Sequence, residues 1–124
     1  TAMPFDLTFV DQNDMVRYFS PGADRVFARS RAVLGRKVQY CHPPKSVHIV
    51  NQIVKDFKSG KQDRARFWIN LHGRMVYIVY YAVRNDAGEY LGTLEITQDL
   101  TEVRELEGER RLLAYDLEPE TTTH

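Results

Sequence analysis

The sequence predicts an α+β domain built around an antiparallel sheet, and three observations carry this prediction. Residues 75–83 hold no charged side chain and are rich in β-branched and aromatic residues, which is typical of a central strand covered on both faces. His72-Gly73 before this stretch and residues 85–88 after it are strong turn signals. Residues 63–71 and 90–98 have the composition of flanking strands. Together these stretches predict a three-stranded meander.

The composition bounds the class of protein. The chain has 124 residues, with 17 Lys and Arg against 17 Asp and Glu, so its formal net charge is zero. We therefore expect one domain with its own core and no nucleic-acid or membrane partner. The single cysteine, Cys41, excludes an internal disulfide, and a cytoplasmic location is expected. Residues 1–115 are predicted to form the domain, and residues 116–124 a disordered tail within a longer protein.

Two further strands are predicted near the start of the chain. Residues 5–10 alternate apolar and polar side chains, and residues 11–14 turn the chain into a short strand at residues 16–19. Ser20-Pro21-Gly22 then ends this hairpin. The alternation does not by itself say which face of the first strand points to the core.

Helices are predicted between the hairpin and the meander. Residues 23–27 and 33–41 have room only for short helical pieces, which depend on tertiary contacts. A longer helix opens at Pro43-Pro44 and closes at Ser59-Gly60, because proline is tolerated in a first turn and glycine favours a helix end. At about 100° per residue its apolar side chains share one stripe, which we expect to pack on the sheet. The stripe comprises Val47, Val50, Ile53, Val54 and Phe57, and His48, Gln52 and Lys55 lie opposite it.

Strand pairing predicts which side chains share a face, because paired residues in an antiparallel ladder point the same way. With His72-Gly73 as the first loop, Phe67 lies opposite Ile78 on an apolar face. With a four-residue second turn, Arg84 pairs with Glu89 and the same face continues into the last strand. That register places Thr93, Glu95 and Thr97 opposite Tyr80, Ile78 and Val76. A one-residue change in either turn would exchange the two faces.

A row of polar side chains thus falls on the apolar face. A buried carboxylate without a partner is costly, so Glu95 between Thr93 and Thr97 indicates a hydrogen-bonded network, water or a bound ligand. A carboxylate satisfied by Tyr80, a backbone amide or water is an equal alternative. His42 either reaches the mouth of a cavity between the long helix and the sheet, as a contact to a ligand or a metal, or it caps the helix or lies in solvent. The candidate ligand-binding residues are Glu95, Thr97, Thr93, Tyr80, Ile78, Val76, Phe67, Val50, Val54 and His42.

The opposite face of the meander is also too apolar to face water alone. It collects Arg64, Arg66, Trp68, Met75, Tyr77, Val79, Tyr81, Leu94 and Ile96. The helix after Thr101, the segment before Phe5 or a second copy are the candidates to cover it. We expect a homodimer to which the C-terminal helix contributes. The candidate interface residues are Trp68, Tyr77, Val79, Tyr81, Leu94, Ile96, Val103 and Leu106.

The C-terminal helix is predicted to begin with a capping box. Asp99 accepts from the first-turn amides and Glu102 reaches back to the cap. Val103, Leu106 and Leu113 have the spacing of one helical face, although Gly108 interrupts the helix, which is predicted to run to about Tyr115.

The order of these elements resembles a PAS domain over about residues 5–109. The most specific part is the stretch from Gly92 to Glu102, which is similar to the last PAS strand and the motif that follows it. The stretches from Cys41 to His48 and from Glu107 to Leu113 resemble, more narrowly, a prokaryotic family with a haemerythrin-like domain upstream. The resemblance implies a five-stranded antiparallel sheet in order 2-1-5-4-3, helices on one face, a ligand cavity between them and a sensing or dimerising role.

Two cofactors of PAS sensors find no matching residue here. Haem-binding members use a histidine on the long helix, but His48 lies on the predicted polar side. Light-sensing members carry a cysteine in a Gly-Arg-Asn-Cys motif, where this chain has Val38, with Cys41 three residues later. We therefore expect neither haem nor flavin, and the sequence leaves any other cofactor unknown.

The sequence favours a sensory module that binds a small organic ligand and passes a signal to other domains of a larger protein. No nucleophile and base pair, metal-ligand cluster or phosphate-binding glycine loop is recognisable, so no enzymatic activity is expected. A dimerisation domain with a filled core is the alternative from a different class, and a haem redox sensor is the third.

Overall fold

The sheet has the predicted strand order. The fold is taken from a computed structural model that describes residues 5–20, 37 and 46–115. Five antiparallel strands lie in the order β2-β1-β5-β4-β3. The elements in chain order are β1 (Phe5–Asp11), β2 (Val16–Phe19), α1 (Val47–Lys58), β3 (Arg64–Leu71), β4 (Arg74–Arg84), β5 (Tyr90–Asp99) and α2 (Thr101–Arg104).

Some predictions fall outside the described residues. They are the two short helical pieces at residues 23–27 and 33–41, the helix opening at Pro43-Pro44, the placement of His42 and the tail from residue 116. Among the described residues, no helix is long and apolar enough to span a membrane.

The hairpin between β3 and β4 has the predicted register. Phe67 pairs with Ile78 and Leu71 with Arg74. His72 and Gly73 have φ values of 53° and 83°, so both residues of the two-residue loop are left-handed, as a type I′ turn requires. The side chain of Asn70 supports the turn, because its Oδ1 accepts a hydrogen bond from the Gly73 amide at 2.9 Å.

The register between β4 and β5 corrects the prediction by two residues. Arg84 pairs with Tyr90, one residue beyond the predicted Glu89, and the ladder is irregular between Val83 and Arg84. In the rest of the ladder the shift is two residues, so that Tyr80 pairs with Glu95 where Thr93 was predicted. The cause lies in the loop, where the Asn85 side chain accepts hydrogen bonds from the amides of Ala87 and Glu89 and so keeps Glu89 out of the ladder. Because the shift is two residues, each side chain of β5 stays on the face of the sheet that was predicted for it.

Helix α1 packs its apolar stripe against one face of the sheet, which we call the core face. Val50, Val54 and Phe57 are buried, whereas His48 is exposed on the polar side, as predicted. The helix ends at Ser59, and Gly60 follows with a φ of 80°. This is the predicted glycine stop.

Arg84 joins the end of α1 to the sheet. Its Nη2 donates to the carbonyl oxygens of Phe57 and Gln62 at 2.7 and 3.3 Å, and its Nε donates to Asp63 Oδ1 at 3.0 Å. The Phe57 carbonyl belongs to the last turn of α1, where carbonyl groups lack helical partners. The guanidinium therefore stabilises the helix end and fixes it to β4.

The C-terminal helix is much shorter than predicted. Helix α2 has four residues, and the chain from Glu105 to Tyr115 is exposed and not helical. Gly108 has a φ of 66°, which ends any continuous helix, and an isolated helix of this length is marginal in water. Its N-cap is Leu100, not Asp99, although Asp99 Oδ1 does accept from the Thr101 amide at 3.0 Å.

Candidate functional site

The polar row of β5 is buried on the core face. Thr93, Glu95 and Thr97 are 5%, 7% and 2% exposed. The prediction that these side chains leave solvent is therefore confirmed. Together with α1 above them, they place a carboxylate and two hydroxyl groups inside an otherwise apolar layer.

Tyr80 reaches this row from β4. It is paired directly with Glu95, and its hydroxyl donates to Glu95 Oε2 at 3.2 Å. Its ring packs edge-on against Phe67, with centroids 5.9 Å apart and planes at 83°. The corrected register explains the contact, because a directly opposite residue is the nearest one on the same face.

Strand β1 contributes polar residues that the sequence analysis missed. Asp6 and Thr8 are 8% and 3% exposed and pair with Thr97 and Glu95. Asp6 and Glu95 are thus buried carboxylates on neighbouring strands and on the same face. The sequence does contain a signal for this arrangement. The opposite face of the sheet was already predicted to be apolar, so the apolar residues of β1 fit on that face, and Asp6 and Thr8, which alternate with them, then fall on the core face.

Thr93 is held by a second aromatic side chain. The Tyr90 hydroxyl lies 2.8 Å from Thr93 Oγ1, at hydrogen-bond distance. Burial raises the pKa of Tyr90, so the hydroxyl stays protonated at neutral pH. Two tyrosines thus orient two members of the polar row.

A small cavity lies between α1 and the core face. Its volume is about 20 Å³, and it is lined by Val10, Val50, Ile53, Val54, Tyr80, Thr93 and Glu95. A space of this size holds about one water molecule. Five of the predicted site residues meet here, together with Val10 and Ile53.

The other predicted site residues are placed differently. Val76, Ile78, Phe67 and Thr97 share the core face but do not line this cavity. Because Thr97 pairs with Asp6 farther along the sheet, the polar residues form two adjoining groups. Among the described residues, no group of three His, Cys, Asp or Glu side chains could hold a metal ion. The arrangement supplies hydrogen-bond donors and acceptors.

The opposite side of the sheet, which we call the outer face, is partly open. Trp68 and Tyr81 are exposed, Tyr77, Leu94 and Ile96 are half-buried, and Val79 is buried. The Arg66 guanidinium carbon lies 5.7 Å from the centre of the Trp68 ring, which is a cation–π contact. The remaining predicted interface residues, Val103 and Leu106, are exposed.

The first strand extends the apolar surface of the outer face. Phe5, Leu7 and Phe9 alternate with the buried residues of β1 and are half-buried. The Phe9 ring packs over Gly92, where an added Cβ would lie 2.6 Å from its nearest ring atom. Gly92 therefore makes room for an aromatic side chain at the centre of the sheet.

Comparison with known proteins identifies similar domains. The PAS domain family model matches residues 1–101. The C-terminal domain of a Streptococcus mutans protein is 35% identical, with a TM-score of 0.77 over 85% of this chain and 82% of that one. No curated protein matches the sequence.

Two further solved structures share the fold at low identity. A PAS domain from Colwellia psychrerythraea is 16% identical, with a TM-score of 0.60 over 81% of this chain and 89% of that one. A sensory box sensor histidine kinase from Vibrio cholerae is 10% identical, with a TM-score of 0.61 over 78% of this chain and 82% of that one.

Proposed function

The chain belongs to the PAS domain family, and from this premise we propose that it is a sensory module that binds a small polar organic ligand between α1 and the core face. One observation carries the proposal: Glu95 is 7% exposed and lines a cavity that α1 closes. Membership of a family used for signal sensing supports the general role. The buried polar groups support the finer statement that a ligand is sensed.

The polar groups have a physical cost that a purely structural layer would not need. Burying a carboxylate is unfavourable unless it is hydrogen-bonded, and apolar residues would pack between α1 and the sheet more cheaply. Glu95, Asp6 and the threonines present mainly acceptor oxygens, together with hydroxyl groups. A ligand with several hydrogen-bond donors, such as an amine or amide, matches that lining.

Binding would also have to move α1. The cavity of about 20 Å³ accommodates about one water molecule, so an organic ligand must separate the helix from β5. Arg84 and the Lys58–Asp14 ion pair, at 3.1 Å, tie the last turn of α1 to the sheet and to the β1–β2 turn. A displacement of the helix would therefore lengthen or break these two contacts.

The signal would pass to other domains of a larger protein. Solved structures with this fold include one described as a sensor histidine kinase, which supports an output through a neighbouring domain. The relative from Streptococcus mutans is itself described as a C-terminal domain. This description fits the narrower proposal that a haemerythrin-like domain precedes the present one, which the upstream sequence of the full-length protein tests.

Native mass spectrometry of freshly purified protein, before and after denaturation, tests the ligand proposal. We expect a bound small molecule whose mass is lost on denaturation, and lower occupancy in Glu95→Gln. Glu107→Gln is the matched control, because it makes the same chemical change at an exposed position. A wild type without extra mass, or equal occupancy in Glu95→Gln, contradicts the proposal.

A second candidate function is a dimerisation domain with a filled core. The small volume of the cavity favours this alternative, because side chains already fill almost all of the space between α1 and the core face. In that case native mass spectrometry shows a dimer without extra mass, whereas a sensory module shows the ligand whatever its oligomeric state.

A further inference from the structure

A groove lies between α1 and the turn that joins β1 to β2. Its volume is about 480 Å³, much larger than the cavity on the core face, and it opens to solvent. Among the described residues, only Val54 lines both spaces, so the groove is a separate place on the molecule. The groove is lined by Asp14, Asn51, Val54, Lys55, Lys58 and Ser59.

Helix α1 brings two cations to this groove. Lys55 and Lys58 are three residues apart on the helix, so their side chains are neighbours on one side of it. Both side chains are exposed, and their aliphatic stems can cover apolar surface while the ammonium groups stay in water. In the part of the chain that the structure describes, Lys55 forms no ion pair.

A carboxylate already occupies part of the groove. Lys58 Nζ lies 3.1 Å from Asp14 Oδ1, and the Asp14 side chain is 15% exposed. The backbone of this turn has hydrogen bonds of its own, because the Asp14 amide donates to the Asp11 carbonyl and the Asp11 amide to the Met15 carbonyl, each at 2.9 Å. The groove therefore binds one carboxylate at Lys58 and has a second cation beside it.

The charges around the groove leave an excess of one positive charge. Two lysines line it against one aspartate, Asp14. The other carboxylate of the turn, Asp11, is bound by Arg17 Nε at 2.6 Å, which compensates its charge. An anion that enters the groove therefore meets a positive potential.

The end of α1 does not cancel this charge. The Asp56 carboxylate accepts from Gln52 Nε2 at 2.9 Å and does not line the groove. The carbonyl groups of a last helical turn carry partial negative charge. Here the Phe57 carbonyl accepts from Arg84 Nη2 at 2.7 Å and from the Gly60 amide at 3.2 Å, which offsets it.

We propose that this groove binds a small organic acid whose carboxylate lies between Lys55 and Lys58. The acid takes the place of Asp14 at Lys58, and its apolar part lies against Val54 and the stems of the lysines. Since the Lys58–Asp14 pair joins α1 to the β1–β2 turn, binding of the acid releases this connection. The site goes beyond the proposed ligand on the core face and does not depend on it.

Titration with sodium butyrate tests the proposal, with the neutral butyramide as the matched probe. Amide shifts in proton–nitrogen NMR spectra report the site, and sodium chloride keeps the ionic strength constant, because salt alone screens surface charges. We expect saturable shifts at Asp14, Asn51, Lys55 and Ser59 with butyrate. Butyramide should leave these signals unchanged.

Two variants separate the roles of the charged groups. Lys55→Gln should weaken butyrate binding about two- to fivefold, the usual contribution of an exposed charge pair. Lys61→Gln is the matched control, because it makes the same change at an exposed position just beyond α1 and outside the groove. It should bind butyrate as the wild type does.

Asp14→Asn should strengthen butyrate binding, because it removes the carboxylate that competes for Lys58. The turn should keep its shape, since asparagine tolerates the φ of 67° that Asp14 has. A merely structural role of Asp14 predicts no such gain.

Three results would overturn the proposal. The first is that butyramide shifts the same signals as butyrate does. The second is an equal loss of affinity in Lys55→Gln and Lys61→Gln, which would reflect the overall charge of the chain. The third is butyrate binding in Asp14→Asn that is no tighter than in the wild type.

Discussion

Arg74 and Asp99 form an ion pair that joins the start of β4 to the end of β5, with Arg74 Nε 2.8 Å from Asp99 Oδ2. The other oxygen, Asp99 Oδ1, accepts from the Thr101 amide at 3.0 Å and from its hydroxyl at 2.6 Å. Thr101 Oγ1 in turn accepts from the Met75 amide at 2.9 Å. One carboxylate therefore fixes two strand ends and the start of α2.

Asp99 should make stability depend on acid. The hydrogen bond from Arg74, with those from Thr101, lowers the pKa of Asp99 from 3.8 to about 2. A carboxyl whose pKa is lower in the folded state stabilises the fold above its unfolded pKa, and this contribution is lost as pH falls toward about 2. We expect Asp99→Asn to lose stability at neutral pH and to show a smaller further loss between pH 4 and 2.

Urea unfolding at several pH values measures this effect. Asp86→Asn, in the exposed loop between β4 and β5, is the matched control and should keep the acid dependence of the wild type. An Asp99→Asn variant with the same acid dependence as the wild type would show that this pair contributes nothing to it.

Gly92→Ala should destabilise the sheet. A Cβ at Gly92 would lie 2.3 Å from the Val10 carbonyl oxygen and 2.6 Å from the Phe9 ring. We expect a loss of about 1–3 kcal/mol in the free energy of unfolding, the usual cost of overpacking. Adding Phe9→Ala should not restore stability, because the clash with the backbone oxygen remains. Denaturant unfolding of both variants decides the matter, and rescue by Phe9→Ala would assign the clash to the ring alone.

Arg84→Met should weaken the attachment of α1. It removes the donor to the Phe57 carbonyl at 2.7 Å, and hydrogen bonds of charged groups contribute about 1.5–3 kcal/mol. Asp63→Asn separates this effect from the ion pair, because the Asp63 side chain is 79% exposed and such pairs contribute about 0–1 kcal/mol. Thermal and urea unfolding should show Arg84→Met to be clearly less stable than Asp63→Asn. Equal losses would mean that the hydrogen bond from Arg84 to the Phe57 carbonyl does not stabilise the end of α1.

Tyr80→Phe should cost about 1.5–3 kcal/mol, the usual contribution of a hydrogen bond to a charged group. The substitution removes the hydroxyl that donates to Glu95 at 3.2 Å while keeping the ring that packs on Phe67. Tyr77→Phe is the matched control on the outer face, where the hydroxyl accepts from Arg66 at a longer 3.5 Å. Equal unfolding free energies for the two variants would mean that the contact with Glu95 is not special.

The sequence predicts most where a local motif decides the geometry. The His72-Gly73 dipeptide determines a type I′ turn, and the register of β3 and β4 follows from it. The same reasoning misplaced the partners of β5. The Asn85 side chain accepts a hydrogen bond from the Glu89 amide, and the loop is therefore longer than the four residues predicted. An even shift left the faces correct.

Other features depend on contacts that no single stretch reveals. Asp6 and Thr8 are buried because β1 lies beside β5, which composition alone does not indicate. The length of the C-terminal helix depends on a surface to pack on. Helix α2 ends at Arg104, and Gly108 with a φ of 66° prevents a helix from running on to Tyr115. The size of the cavity is set by how closely α1 approaches the sheet, a quantity that helical periodicity does not contain.

The strand order leaves β3 at one edge of the sheet, and in the described part of the chain no strand pairs with its free side. Such an edge is a template for stacking into fibres, and charged side chains are a common protection against it. Arg64 and Arg66 supply this protection over the first half of β3, whereas Trp68, Ile69 and Asn70 are exposed without a charge. We therefore expect these two arginines to keep the domain soluble at high concentration, independently of the stability of its core.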